Sequence, residues 1–392
     1  MNGEDLARDK AAVTGVGCTG FSRDSGVSVD ALALQASLLA IRDAGLEPSD
    51  IDGVLTYGVG DAAAVRDISQ ALGLESVNWY CDVFGGGSYS CATVAQAAMA
   101  IATGLCRHVL VYRALNGRSG RRLGRTALGG GDAGPPRVPG PGQFSVPFGM
   151  SGPVQQYGLL ARRHMIEFGT TTEHFGQVAV TLRGNAVLNP RAIMRDPITL
   201  EDHQASRWIA EPLRLLDCCQ ETDAGCAIVL SRADAARDRP HPPVYLSSFA
   251  LGGSGPASQP LDKYPDFTRL FPAHIGPGLF GRAGLSVSDI DVAALYDAFT
   301  FLVIAQLEDF GFCGKGEGGP FVAGGGIARE GAIPVGTNGG LLSEGYVHGL
   351  NNLLEAVEQL RGNAGERQIE GAETALATGW GANVGSALVL RR

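Results

Sequence analysis

Four stretches of the sequence combine glycine with polar side chains in the manner of reactive sites. The first is Gly85-Gly86-Gly87-Ser88, which leads into "YSCATVAQAAMAIATGL". A tight turn at the head of a helix is a layout that presents a nucleophile, yet these glycines carry no side chain that could attack. What the turn offers instead is backbone N–H groups around Ser88 at a helix N-terminus, which suit a developing oxyanion. The second stretch, "LYDAFTF", puts Tyr296 and Asp297 at the end of an apolar run. The third, "TNGGLLSEGYVHGLNNLLEAVEQLRG", holds Tyr346 and His348 in a glycine-flanked turn before an amphipathic helix. The fourth, "ATGWGANVGSALVL", contains Gly381.

Two phenols can donate hydrogen bonds or pass protons, although a free phenol, with a pKa of about 10, needs lowering to act as a base near neutrality. His348 is a lone histidine that could replace either phenol as the base. Other routes to carbon–carbon chemistry are poorly supplied. A Schiff base needs a lysine, and only Lys10, Lys263 and Lys315 exist. The eight cysteines form no C-x-x-C pair and the seven histidines do not gather near them, so no metal site is expected in this chain. Cys91, one turn into the helix after the glycines, reads as a small buried residue, with a displaced nucleophile as the alternative.

The elements that must position these residues alternate between strand and helix. "AAVTGVG", "VLTYG" and "HVLVY" read as strands, and "SVDALALQASLLAIRDAG" as a helix closed by Gly45. Val94, Ala97, Ala98 and Ile101 form an apolar stripe, as do Leu350, Leu353, Leu354 and Val357. The pattern predicts an α/β protein with a mostly parallel sheet covered on both faces. Gly169 is expected to end one helix, and a capping box from Thr170 to Glu173 to start the next. Residues 115–150 break the pattern with Gly, Pro and Arg. Arg118, Arg121, Arg122 and Arg125 there could meet phosphates.

The chain also repeats itself. "AGLEPSDIDGVLTY" (44–57) matches "AGLSVSDIDVAALY" (283–296), and "DAGCAIVL" (223–230) matches "NVGSALVL" (383–390). Two similar halves follow, 10–235 and 243–392, joined at "RDRPHPP", with a loop region at about 115–180 in the first. A duplicated α/β unit brings matching helices together, with a site where they meet. Hydrophobic residues at 45% supply a large core, and charged residues at 18% are too few for disorder. The net charge of -9 disfavours nucleic acid as a partner. The N-terminal "MNGEDLARDKAAVTGVG" has no apolar signal segment and no long apolar run spans a membrane, so a cytoplasmic protein with reduced thiols is expected.

Taken together and in this order, these segments resemble the thiolase superfamily, and within it the lipid-transfer or sterol-carrier-protein thiolases. "QYGLLARRHMIEFGTT", "RGNAVLNPRA" and "PLRLLDCCQETDAGCAIVL" agree with that branch. The resemblance covers nearly the whole chain and implies a thiolase fold, with five layers in the order α/β/α/β/α. The departures are as specific as the matches. Counting back from "TGLCRHVL", the position of the thiolase nucleophile falls at Gly87. The His-Asp-Cys-Phe segment of that branch is Tyr296-Asp297-Ala298-Phe299 here, and its Gly-His-Pro is Gly345-Tyr346-Val347. The loop of the second cysteine is "TGWGAN" around Trp380. Both cysteines and both histidines are gone, and the histidines have become tyrosines.

Without a thiolate in this turn, condensation or thiolysis through an acyl-enzyme is not expected. A fold that binds acyl-CoA and stabilises a thioester enolate is left, and that suits a retro-aldol cleavage. More narrowly, the chain resembles the actinobacterial steroid side-chain-cleaving aldolases. That resemblance implies a substrate of the 17-hydroxy-3-oxo-4-pregnene-20-carboxyl-CoA type, cleaved to a 17-keto steroid and propionyl-CoA. It implies no covalently bound cofactor, CoA only as part of the substrate, a homodimer, and a small partner protein with a zinc ribbon and an OB-fold. It carries the base role to Tyr296 and the acid role to Tyr346, with Gly87, Ser88, Asp297 and Gly381 around the substrate and its oxyanion. Gly87 is expected to clear room for a bulky branched carbon. Two alternatives stand beside this reading: an acyl-CoA thiolase with a non-standard nucleophile at Cys91, and a non-catalytic lipid-CoA binding protein.

Overall fold

The computed structural model describes residues 7–120, 140–150, 152–254, 266, 268–381 and 384–392. Among the described residues, nine strands form the main sheet: β1 (Ala11–Cys18), β2 (Gly53–Gly58), β3 (Trp79–Phe84), β4 (His108–Asn116), β5 (Asp223–Arg232), β6 (Val244–Gly253), β7 (Val292–Ala294), β8 (Thr374–Gly381) and β9 (Val384–Arg391). The principal helices are α1 (Val29–Asp43), α2 (Ser90–Ala102), α3 (Pro153–Phe168), α4 (Thr172–Val187), α5 (Phe271–Ala283), α6 (Thr300–Phe310) and α7 (Leu350–Arg361).

The strand order is β3-β2-β4-β5-β1-β6-β9-β8-β7. Read outward from the antiparallel β1/β6 contact, the two sides use the same order of strands and the same directions. Among the described residues the second side lacks a counterpart of β3. Only β2/β3, β2/β4 and β7/β8 are parallel. The mostly parallel sheet expected from the sequence is therefore corrected to a mixed one. Its central strands are buried on both faces and read as continuous apolar runs, whose pattern does not reveal direction.

The sequence repeats have structural causes. Gly45 and Gly284 both follow a helix at positive φ, 63° and 68°. Each is followed by a short 3-10 turn, Pro48–Asp50 or Val287–Asp289, with a reciprocal capping box. Gly225 and Gly385, one in each copy of the second repeat, meet a matching outer helix. A side chain on Gly225 would strike the Leu32 carbonyl of α1, and one on Gly385 the ring of Phe271 in α5.

Helices α2 and α7 lie in the middle, in contact with strands of both sides and with each other. Val94, Ala97 and Ile101 pack there with Leu350, Leu353 and Val357. Helix α1 covers the outer face of the first side, and α5 and α6 that of the second. The layers therefore run α/β/α/β/α. Helices α3 and α4, from the region before the second repeat, pack through Leu160, Phe175 and Leu182 onto Phe301 and its neighbours. Gly169 ends α3 at φ 72°, as expected. The capping box starts at Thr171, not Thr170, and closes through His174 Nδ1 at 3.1 Å. Thr170 is occupied elsewhere: its hydroxyl meets His164 Nδ1 at 2.9 Å.

Candidate active site

The glycine turn is a short 3-10 segment, Gly87–Tyr89, running directly into α2. The second half of the chain pins it. Ser386 donates to the Ser88 carbonyl at 2.6 Å, and Ser90 donates to that of Gly87 at 3.0 Å. Gly379 and Gly381 let β8 come this close. A side chain on Gly381 would lie 2.9 Å from Ser88 Oγ, and one on Gly379 would strike the Gly87 carbonyl. The first N–H groups of such a turn have no partner within the helix and remain available to an oxygen atom.

Tyr296 follows β7, and its main chain is fixed from both sides. Its N–H donates to Thr378 at 2.8 Å, and its carbonyl accepts from Gln306 at 2.9 Å. Tyr346 is held by Thr222, whose hydroxyl accepts from the Tyr346 N–H at 2.9 Å and donates to its carbonyl at 3.2 Å. The result is a phenol pair: the hydroxyls of Tyr296 and Tyr346 are 2.9 Å apart. Tyr296 is only 4% exposed, whereas Tyr346 is partly open.

The space that Gly87 leaves is already taken. A Cβ there would run into the ring and hydroxyl of Tyr296. Gly349, at φ 86°, also lies against this ring: a Cβ there would sit 2.8 Å from Cδ2 and 3.0 Å from Cε2. The Tyr296 ring thus packs against two glycines. The expectation that Gly87 clears room for substrate is corrected: the vacated volume houses a phenol.

Burial pushes both phenols well above their ordinary pKa. They are not equivalent. Tyr346 is raised further by neighbouring Cys219, but it shares a hydroxyl contact with Tyr296 and feels the positive charge of Arg113, both of which oppose the rise. Tyr296 has the phenol of Tyr346 as a further cause raising it.

His348 is brought to the same place. Its ring lies edge-on to Tyr346, with centroids 5.1 Å apart. It is a non-glycine residue at φ 48°, a conformation uncommon for such residues and one that often marks a functional site. Tyr57, the repeat mate of Tyr296, donates its hydroxyl to the His348 carbonyl at 3.2 Å. Arg113, fully buried on β4, donates from Nε to His348 Nδ1 at 3.1 Å. Its Nη2 bonds Asp61 at 2.7 Å. Burial and the Arg113 charge lower His348 to about 3, so the imidazole is neutral throughout the physiological range. The sequence expectation that His348 could be the base is corrected, because its acceptor nitrogen is occupied by a guanidinium.

Asp297 is placed behind the site rather than in it. Its carboxylate accepts from the N–H groups of Leu341 and Leu342 at 2.9 and 3.1 Å and from Asn352 at 2.9 Å. Burial raises it to about 6. Its expected contact with substrate is corrected to a role in fixing the Gly340–Ser343 turn, which precedes Tyr346. Cys91 is 1% exposed, and burial pushes its thiol up to about 12. No useful fraction of thiolate exists there near neutrality. Cys91→Ser should therefore leave turnover within about twofold of wild type in a steady-state assay. A loss of two orders of magnitude would restore the nucleophile alternative.

Arg118 pairs with Glu221 at 3.8 Å. Arg121, Arg122 and Arg125 lie outside the described residues. Arg113 and Asp61 were not singled out in the sequence. Arg113 closes the run "HVLVYR", where an arginine reads as a strand end reaching water. Among the described residues, no group of three or more His, Cys, Asp or Glu side chains is arranged to hold a metal ion.

A five-layered fold with paired central helices, and a glycine and two tyrosines in place of a thiol and two histidines, defines a thiolase-fold protein built for chemistry other than acyl transfer to cysteine. The chain belongs to the thiolase superfamily, in the branch that holds the steroid side-chain-cleaving aldolases. The family description "Thiolase C-terminal domain-like" matches residues 253–390. The steroid side-chain-cleaving aldolase of Thermomonospora curvata is 44% identical, over 90% of this chain and 91% of that protein. The 17-hydroxy-3-oxo-4-pregnene-20-carboxyl-CoA lyase of Mycobacterium tuberculosis is 42% identical, over 94% and 96%. Among solved structures, the Ltp2-ChsH2(DUF35) aldolase superposes with a TM-score of 0.90 at 41% identity, covering 99% of both chains.

Proposed function

We propose that this chain is a carbon–carbon lyase that cleaves a steroid side chain carried on CoA, by a retro-aldol reaction. The substrate is a 17-hydroxy steroid acyl-CoA of the pregnene-20-carboxyl type, and the products are a 17-keto steroid and propionyl-CoA. The observation that carries the reading is the Tyr296–Tyr346 pair seated where the thiolase nucleophile would be. The two aldolase relatives support the substrate class.

The reaction needs one proton moved and no net change. Tyr346, the more open phenol and the one that feels the positive charge of Arg113, takes the hydroxyl proton as its phenolate. This reverses the division expected from the sequence, which made Tyr296 the base. As the carbon–carbon bond breaks, its electrons pass to the α carbon and onto the thioester oxygen, leaving a ketone and an enolate. The proton returns to the α carbon through the Tyr346–Tyr296 pair. Amides at the Gly87–Ser88 turn face the developing negative charge. Neither water nor free CoA enters. Since both phenols are raised and His348 stays neutral, turnover should climb with pH from 6.5 to 9 with no inflection at the histidine value. A plateau set by an ionisation near pH 6.5 would contradict this assignment.

The working assembly is a homodimer with a small partner protein carrying an OB-fold and a zinc ribbon. The DUF35 component of the structural relative supports the partner. Edge strand β3 exposes Trp79, Tyr80 and Phe84 and supports a chain-to-chain contact. No described helix is long and apolar enough to cross a membrane. Eight free cysteines fit a reducing cytoplasm. The experiment is to supply the chain and its partner with the 17-hydroxy steroid CoA thioester and follow products by mass spectrometry. Equal amounts of ketone and propionyl-CoA are expected. Binding without cleavage would favour a lipid-CoA carrier.

A further inference from the structure

We infer that His348 is a catalytic hydrogen-bond donor to the thioester oxygen, and that Arg113 and Asp61 are positioning residues that fix it as the Nε2–H tautomer. This deepens the retro-aldol reading and rests on it.

The argument starts from what a guanidinium can do. Arginine has N–H donors, no acceptor, and keeps its charge. Arg113 aims both Nε, at 3.1 Å, and Nη2, at 2.9 Å, at His348 Nδ1. Nδ1 must therefore present a lone pair, and the single proton of the neutral ring is on Nε2. The arrangement is locked. Arg113 is fully buried, with its remaining N–H groups on the Ala114 carbonyl at 2.6 Å and on Asp61 at 2.7 Å. The main chain of His348 is held at positive φ by Tyr57. Burying a guanidinium is costly, and a purely structural contact with a histidine could be made by a neutral side chain.

The free end of the ring points at the site. Nε2 lies 3.9 Å from where a Gly86 side chain would begin, beside the Gly87–Ser88 turn and next to the Tyr346 ring. Among the described residues Nε2 has no hydrogen-bond partner, which leaves its proton for a bound oxygen, and the residue as a whole is only 3% exposed. A neutral imidazole with a lowered pKa is a suitable electrophile for an enolate. It polarises the carbonyl without handing over a proton to the oxygen. The role is separate from the phenol pair: Tyr346 and Tyr296 move the proton, and His348 with the turn amides holds the charge. The charged and titratable groups around the ring are Arg113, Asp61, Tyr57 and Tyr346.

Three measurements test this. Histidine-selective 15N NMR of the wild-type complex should show one residue, lost in His348→Gln, that stays in the Nε2–H form from pH 5 to 9. In the cleavage assay, His348→Ala should lower kcat by about 10²- to 10³-fold with KM little changed. His348→Gln, which can still present an N–H, should recover at least tenfold of that loss. Arg113→Gln should introduce an ionisation near the ordinary histidine value of about 6.5 into a pH profile that otherwise lacks one. A merely structural His348 would lower stability in these variants without splitting kcat from KM or altering the profile. An Nδ1–H tautomer in the wild type, or wild-type kcat in a folded His348→Ala variant, would overturn the inference. If the wild-type complex cleaves nothing, the retro-aldol reading fails and the donor role falls with it, whereas cleavage unaffected by His348 removes only the donor.

Discussion

Gly87→Ala should lower kcat/KM for side-chain cleavage by at least about 10²-fold, the scale of losing a positioned proton-transfer group. The change adds one methyl group, but that methyl would overlap the hydroxyl and ring of Tyr296. The ring is also packed closely against Gly349 and is only 4% exposed. It must swing out, and the 2.9 Å bond to Tyr346 is lost. Gly87→Cys should do the same and should not create a thiolase. A cysteine there would find phenols in place of the two histidines that its activation requires. Both variants can be assayed by product formation, with a melting curve to confirm the fold. Wild-type cleavage in folded Gly87→Ala would contradict the account of why this turn has no side chain.

Tyr346→Phe should cost about 10²- to 10⁴-fold in kcat, with KM changed only a few-fold. The substitution removes one oxygen atom. The ring keeps its contacts, and the backbone clamp by Thr222 does not involve the phenol. The structural cost is the hydroxyl of Tyr296, which loses its partner in a buried setting, worth about 1–3 kcal/mol. A small fall in melting temperature with a large fall in turnover is therefore the expected signature. A carrier protein would show neither a loss of turnover nor a change in ligand affinity, so this variant also separates the two readings.

Much of the architecture is legible in the sequence. The repeats betray themselves because the same backbone demands recur: a positive-φ glycine after a helix, a capped 3-10 turn, a glycine beneath an outer helix. Strand direction was not legible, because strands buried on both faces lose the alternation that would distinguish them. Within the site, Gly87, Tyr296 and Tyr346 could be picked out by their departures from the thiolase pattern. Their packing could not, because the Tyr296 ring meets both Gly87 and Gly349, which lie 262 positions apart in the chain. Arg113 was invisible for a related reason. Its partners, Asp61 and His348, come from a loop after β2 and a turn before α7, and only the fold brings them to one guanidinium. Asp297 sits among reactive neighbours in sequence, while its hydrogen bonds reach the main chain of a later turn.

The central claim is that this thiolase fold breaks a carbon–carbon bond without a thiol. The most direct test is the cleavage rate of the 17-hydroxy steroid CoA thioester as free CoA is varied from none to saturation, with intact-protein mass spectra taken during turnover. The account predicts the full rate with no added CoA, and a protein mass that never gains an acyl group. A rate that requires free CoA, or a cysteine carrying the acyl chain, would contradict it.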